Sequence, residues 1–135
     1  MADTLADAIN TIKTHERVGR RECVLQSTKL TMAVLELMKH ESYIAGYEEF
    51  TEGRAKRVKV ALSNRINSIG VIKPRHAISA AEIQDYEMQY IPSRDFGVLI
   101  LTTSKGLMTN REAKEKNVGG RLLAYVYGLP WRTMD

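Results

Sequence analysis

Apolar residues in the first half of the chain recur at spacings that predict two helices and three strands. Intervals of three and four residues indicate amphipathic helices, and the second helix has the stronger pattern. Strict alternation indicates a strand in which Val58, Val60 and Leu62 face the core. The predicted elements, in chain order, are a helix over residues 4–18, a strand over 22–25, a helix that begins near Ser27 or Thr28, and strands over 43–50 and 56–62. This order predicts helices packed on one face of a small sheet.

Two capping boxes, each a Ser or Thr followed three residues later by Glu, predict short helices in the second half of the chain. The first begins at Ser79, and its helix should end before Pro92. The second begins at Thr109 and opens a helix of about two turns. We expect Gly119 or Gly120 to end that helix in the left-handed backbone conformation.

Two further apolar runs predict strands in the same half. Residues 98–101 are unbroken in their apolar character, so both faces of that strand should be covered, and residues 122–127 form the last strand. The fold class is therefore expected to be α+β, with two small lobes. The predicted divisions are an N-terminal lobe over 1–66, a mostly β C-terminal lobe with short helices over 67–127, and a C-terminal extension over 128–135.

Composition narrows the class of protein. The chain has 135 residues, a net charge of +4 and Cys23 as its one cysteine, so an internal disulfide is excluded. No apolar run is long enough to span a membrane and no secretory signal is visible, so the cytoplasm is expected. Clustered cations predict a polyanionic partner, although a solvated basic face would give the same pattern. Between residues 51 and 75 the cations are Arg54, Lys56, Arg57, Lys59, Arg65, Lys73 and Arg75, against the single acid Glu52.

The most informative segment follows the strand at 98–101 and is called here the hydroxyl segment. Its residues are Thr102, Thr103, Ser104, Lys105 and Gly106. Hydroxyls can meet phosphate oxygens, ribose hydroxyls and base edges, and a lysine adds a point charge for phosphate. The order of Gly and Lys does not match a P-loop. The segment could equally be a Ser/Thr-rich turn that caps local backbone groups.

Metal, cofactor and catalytic interpretations have little support in the sequence. His15, His40 and His76 are scattered, without partners at metal-ligand spacing, so we expect no metal and no cofactor. Cys23 lies in an apolar run, which favours a packed thiol over a nucleophile. The few aromatic residues form no visible stacking platform, so an RNA partner would be helical RNA.

The hydroxyl segment and the residues after it resemble the small-subunit ribosomal protein eight family, in its archaeal and eukaryotic branch. The strongest match runs from Thr102 to Thr109 and continues with Arg111-Glu112-Ala113 and Gly119-Gly120-Arg121-Leu122. Further matches in order are Asp3-Thr4-Leu5-Ala6-Asp7-Ala8-Ile9, Ser27-Thr28-Lys29-Leu30, Gly70-Val71-Ile72-Lys73-Pro74-Arg75 and Pro92-Ser93-Arg94-Asp95-Phe96-Gly97. The family's usual Tyr-Gly-Tyr-Ile is here Glu41-Ser42-Tyr43-Ile44, which leaves that turn without its glycine.

The resemblance implies a non-catalytic, two-lobe RNA-binding protein of the small ribosomal subunit. Its expected partners are the central domain of the small-subunit ribosomal RNA, which it would help to organise and assemble, neighbouring small-subunit proteins, and its own messenger RNA in a repressor role. The hydroxyl segment would be the main RNA contact, and Gly119 and Gly120 would let the RNA backbone approach beside it. The first lobe would contribute Ser27, Thr28 and Lys29 at the start of its second helix, and Lys73 and Arg75 would add further contacts.

Two other functions remain open on the residues alone. One is a small phosphate-ligand-binding enzyme that uses the hydroxyl segment. The other is a protein-interaction module that uses the exposed face of the strand at 56–62.

Overall fold

A computed structural model of the chain describes residues 4–63, 65–73, 75–91 and 97–128. These residues form two compact units, the first ending at Ile66 and the second beginning at Asn67. Each unit combines helices with an antiparallel sheet, so the predicted α+β class is confirmed. Pro92 and residues 129–135 of the predicted extension lie outside the described residues.

The first unit has the predicted order of helix, strand, helix, strand and strand. Its elements are α1 (Thr4–Arg17), β1 (Glu22–Gln26), α2 (Lys29–His40), β2 (Ile44–Glu52) and β3 (Ala55–Leu62). The strands pair antiparallel in the order β1-β3-β2, so β3 is central. Val58 and Val60 on β3 are fully buried, whereas Lys59 and Ala61 on its other face are exposed. The period-two pattern of β3 therefore set which face is covered.

Three helices end in the same hydrogen-bonded motif, with one residue in the left-handed conformation. Those residues are Gly19 after α1, Ser42 after α2 and Asn117 after α4, with φ angles of 78°, 68° and 54°. After α2, the Ser42 N–H donates to Lys39 O and the Tyr43 N–H donates to Met38 O, the two bonds of a Schellman motif. The prediction that Gly119 or Gly120 ends α4 was wrong. Asn117 ends it earlier, because its short polar side chain tolerates this conformation.

The second unit contains a five-stranded antiparallel sheet and short helices. Its elements are β4 (Ser68–Val71), β5 (Ala77–Ile78), a 3₁₀ turn (Ala80–Glu82), α3 (Ile83–Tyr90), β6 (Gly97–Thr103), β7 (Gly106–Thr109), α4 (Asn110–Lys116) and β8 (Gly120–Tyr127). The strand order is β4-β8-β6-β7, and β5 also pairs with β8. Strands β4, β5 and β7 have at most four residues each and were not predicted.

The core of the second unit lies around β6 and β8. The β6 residues Leu99 and Leu101 are fully buried, as are Leu122 of β8 and Ile83 of α3. The apolar run at 98–101 is thus covered on both faces, as predicted. Both predicted capping boxes of this unit are present, and the Ser79 N–H donates to Glu82 Oε1 at 2.8 Å. That bond holds the pKa of Glu82 below its ordinary value.

Candidate nucleic-acid interface

The hydroxyl segment forms the tip of a β-hairpin rather than a loop between a strand and a helix. Thr102 and Thr103 are the last residues of β6, and Gly106 is the first residue of β7. Thr103 pairs with Gly106, which leaves Ser104 and Lys105 as a two-residue turn. Gly106 has a φ of 111°, a conformation that favours glycine. The side chains of Ser104 and Lys105 are exposed at this tip.

The Thr103 hydroxyl is used to shape the turn. Its Oγ1 accepts a hydrogen bond from the Lys105 N–H at 3.1 Å and donates one to Gly106 O at 2.8 Å. The interpretation of the segment as a Ser/Thr-rich capping turn therefore holds for Thr103. Ser104 and Lys105 are the exposed groups that the turn presents to a ligand.

A buried polar cluster lies beneath the hairpin, where β7 passes into α4. The fully buried Asn110 accepts a hydrogen bond from the Leu99 N–H of β6 through Oδ1 at 3.1 Å, and its Nδ2 donates to Glu87 of α3. Lys114 Nζ lies 2.8 Å from the nearer carboxylate oxygen of Glu87. These bonds tie α3, α4 and β6 together at the base of the hairpin.

This polar cluster was not predicted, although the sequence contains one signal for it. Glu87 lies four residues after Ile83 and four before Ile91, both of which are buried. A carboxylate in the middle of an apolar helical stripe indicates a buried, paired acid.

Gly119 and Gly120 are packed against the protein's own backbone. A Cβ on Gly119 would lie 2.3 Å from Ile78 O, and one on Gly120 would lie 2.4 Å from Thr102 O. Both distances are too short for any side chain, so the glycines allow β5 and β6 to approach the start of β8. Their part in RNA approach stays a prediction.

Several exposed cations lie at the same end of the sheet as the hairpin tip. Arg121 of β8 pairs with Thr102 on one side and with Ala77 on the other. Its Nη1 donates to Arg75 O at 3.1 Å, which places Arg75 beside the start of β8. Lys73 is exposed between β4 and β5. Arg121 was not among the predicted site residues, although the Gly-Gly-Arg sequence placed it beside them.

Ser27, Thr28 and Lys29 belong to the first unit and surround the start of α2. Thr28 caps the helix, since its Oγ1 accepts from the Thr31 N–H at 3.1 Å. The Ser27 hydroxyl donates to Glu49 Oε2 at 2.5 Å. Both hydroxyls have internal partners, so the exposed Lys29 is the group of this trio that is most available to a ligand.

Cys23 is a buried thiol, as predicted. Burial, together with the nearby charges of Glu16 and Glu22, raises its pKa to about 11. The thiol is thus protonated and unreactive at neutral pH.

Within the described ranges, no three His, Cys, Asp or Glu side chains are grouped as a metal site would need. The helices that the structure describes include none with the length and apolar character to cross a membrane.

Comparison with known proteins identifies the class as ribosomal proteins. The profile of the family "Ribosomal protein S8" matches residues 3–127. The chain is 47% identical to the small ribosomal subunit protein uS8 of Thermoplasma volcanium and 46% identical to that of Thermoplasma acidophilum, covering 93% of this chain and 98% of each relative. It is 44% identical to the protein of the same name from Methanococcoides burtonii, covering 94% of this chain and 98% of that relative.

The chain belongs to the ribosomal protein S8 family, which confirms the resemblance. It is therefore a structural protein and not an enzyme, so the phosphate-ligand enzyme is set aside.

Proposed function

We propose that this chain, a ribosomal protein of the small subunit, binds the central domain of the small-subunit ribosomal RNA directly and helps to organise and assemble it. The observation that carries the proposal is the tip of the β6–β7 hairpin. There Ser104 and Lys105 are exposed on a two-residue turn whose backbone is held by Thr103. A tip of this kind offers a hydroxyl and a cation in a fixed geometry.

The chemistry of the tip suits helical RNA. The wide, shallow groove of an RNA helix displays ribose hydroxyls and phosphates, which hydroxyl side chains and lysine can contact. The strands that support the tip are buried at Leu101 and Met108, so the contact groups stand on a rigid base. A preorganised tip loses little conformational entropy on binding.

We assign further contacts in both units. In the second unit, Lys73 and Arg75 would add positive charge. Gly119 and Gly120, which let β5 and β6 pack closely against the start of β8, would leave that stretch of backbone open to an approaching RNA backbone. In the first unit, Lys29 would contact phosphate from the start of α2, while Ser27 and Thr28 hold that start in place. Contacts of this kind position the protein on RNA without reading its sequence.

The relatives are named as small ribosomal subunit proteins, so neighbouring proteins of that subunit are proposed partners as well. The same RNA surface could also bind the protein's own messenger RNA and repress its translation. Competition between that messenger and the ribosomal RNA fragment would test the shared surface, and simultaneous binding of both RNAs would contradict it.

The proposal is tested by titrating fragments of the ribosomal RNA central domain at two salt concentrations. Wild-type protein should bind selectively and more weakly at high salt. The Ser104→Ala, Lys105→Ala variant should lose about 1–3 kcal/mol for each charge-assisted hydrogen bond removed. The control is Lys116→Ala, which removes an exposed lysine at the end of α4 in the same unit. Equal losses in both variants, or equal binding of any RNA, would count against the hairpin tip.

A further inference from the structure

We infer that the tip of the β2–β3 hairpin in the first unit is a second contact surface for the sugar-phosphate backbone of RNA, with Arg54 and Lys56 as its cations. This inference rests on the proposed function, since it assigns a further part of the protein to the same class of ligand. The surface comprises Arg54, Lys56 and the start of α2 at Lys29, and is called here the basic tip.

The hairpin geometry places Arg54 in the turn between β2 and β3. Glu52 pairs with Ala55, so Gly53 and Arg54 form a two-residue turn, and Gly53 has a φ of 63°. The next pair is Thr51 with Lys56. All four of the residues Thr51, Gly53, Arg54 and Lys56 are exposed.

The start of α2 is joined to the tip end of this hairpin by a backbone hydrogen bond. The Ser27 N–H donates to Lys56 O at 3.0 Å, and the Ser27 hydroxyl binds Glu49 of β2. Lys29 follows as the first residue of α2 and is exposed. The three cations of the basic tip therefore come from two segments that are fixed side by side.

The cations of the basic tip differ from those further along the same strand. Arg57 Nε lies 3.7 Å from Glu52 Oε1, and Lys59 Nζ lies 3.9 Å from Glu22 Oε2, so both have an acidic partner. Lys29, Arg54 and Lys56 form no ion pair with any residue that the structure describes. Exposed and unpaired cations are available to phosphates, and binding them releases counterions from the RNA.

The basic tip resembles the β6–β7 hairpin tip in its chemistry. Both hairpins have two-residue turns, and the second turn residue is an exposed cation, Arg54 in one and Lys105 in the other. Thr103 directly precedes its turn, whereas Thr51 lies one residue further from its own, with Glu52 between them. The exposed cation on a tight hairpin turn, which supports RNA binding in the second unit, is thus present in the first unit as well.

The test compares two double variants in titrations of the ribosomal RNA central-domain fragment at several salt concentrations. Arg54→Ala, Lys56→Ala removes two cations from the basic tip. Arg20→Ala, Arg21→Ala removes two exposed cations at the opposite end of β3, where the Leu62 N–H donates to Arg21 O. Both variants lose the same charge from the same unit. Arg54→Gln, Lys56→Gln repeats the test if the alanine variant folds poorly by circular dichroism.

We expect the basic-tip variant to bind about tenfold more weakly. The slope of the logarithm of its affinity against the logarithm of the salt concentration should fall in magnitude by about 1 for each phosphate that is no longer neutralised. The control variant should bind within about twofold of wild type, because it retains the cations of the basic tip. Backbone cleavage footprints should show reduced protection at one patch of RNA, distinct from the patch that Lys105→Ala leaves unprotected.

Equal weakening in both double variants would show that the loss of net positive charge, and not the position of the cations, weakens binding, and it would overturn the inference. Wild-type affinity in the basic-tip variant, with failure to enter reconstituted subunits, would assign the surface to a neighbouring protein and also overturn it. If Lys105→Ala weakens binding and the basic-tip variant does not, the inference fails while the proposed function stands. If wild-type protein shows no selective binding, the proposed function itself fails.

Discussion

Ser42 has a side chain at a position whose backbone conformation is unfavourable for any residue with a Cβ. It lies at the left-handed end of α2, with a φ of 68°, a conformation in which glycine is favoured. Its side chain is exposed, so packing does little to offset the strain. A non-glycine residue there costs free energy because its Cβ crowds the neighbouring carbonyl.

We therefore expect Ser42→Gly to raise the free energy of unfolding by about 0.5–1 kcal/mol, the relief of strain less the greater entropy of the unfolded glycine. Urea denaturation measures the change. Asn117→Gly is the matched control at the end of α4, and its gain should be smaller because Asn tolerates this conformation. An equal or larger gain at Asn117 would contradict the argument.

Cys23 gives a pH dependence with a definite sign. Its pKa in the folded protein is about 11, above the ordinary value of 9.0, so the unfolded thiol ionises first. The contribution of Cys23 to stability is complete below pH 9 and is lost as the pH rises toward 11. The free energy of unfolding should fall over this window more steeply in wild-type protein than in Cys23→Ala.

Thiol reagents provide a second measurement on the same residue. The buried and protonated Cys23 should react far more slowly in the native protein than in urea at the same pH. Rapid modification of the native protein would contradict the burial of this side chain.

At the scale of elements, the buried polar cluster adds hydrogen bonds between α3 and α4, which also share the apolar core at Ile83 and Ala113. Asn110 satisfies the Leu99 N–H of β6 and contacts Glu87, so its side chain continues the hydrogen bonding of β6 past the end of β7. Asn110→Ala should destabilise the protein by about 2–4 kcal/mol, because a buried N–H and a buried carboxylate both lose a partner.

Lys114→Ala is the comparison within the same cluster. Its side chain is 32% exposed, so water can replace part of its contact with Glu87 and a smaller loss is expected. Denaturant titration of both variants checks the order. A larger loss for Lys114→Ala would show that charge pairing, and not the backbone hydrogen bond, dominates the cluster.

At the scale of the whole molecule, we expect a mutation in one unit to destabilise that unit more than the other. The first unit ends at Ile66 and the second begins at Asn67, and each has its own sheet. Asn110→Ala should therefore lower hydrogen-exchange protection in β6 and β8 more than in β3. Equal loss of protection in β3 would mean that the two units unfold as one cooperative body.

Proteins with two units can also bind one RNA at two places, which is how the hairpin tip of the second unit and the basic tip of the first would act. Removing the cations of both tips should weaken RNA binding more than either change alone. The effects of the two changes on the salt slope should add, since each tip releases its own counterions.

Much of this protein was determined by local sequence, because helices and their ends depend on residues close together in the chain. The periodicity of α1 and α2, the capping boxes at Ser79 and Thr109, and the buried run in β6 could all be predicted for that reason. The hydroxyl segment was recognised by its residues, and its family by the order of motifs around it.

The tertiary structure alone decided the features that depend on partners distant in the chain. Strands β4, β5 and β7 are too short to be recognised alone and exist because they pair with β8 and β6. That pairing made the hydroxyl segment a hairpin tip, placed Gly119 and Gly120 against backbone, and buried Glu87 beside Asn110. Local sequence specifies which groups are available, and non-local pairing specifies which of them meet, because strand hydrogen bonds join residues that the chain keeps far apart.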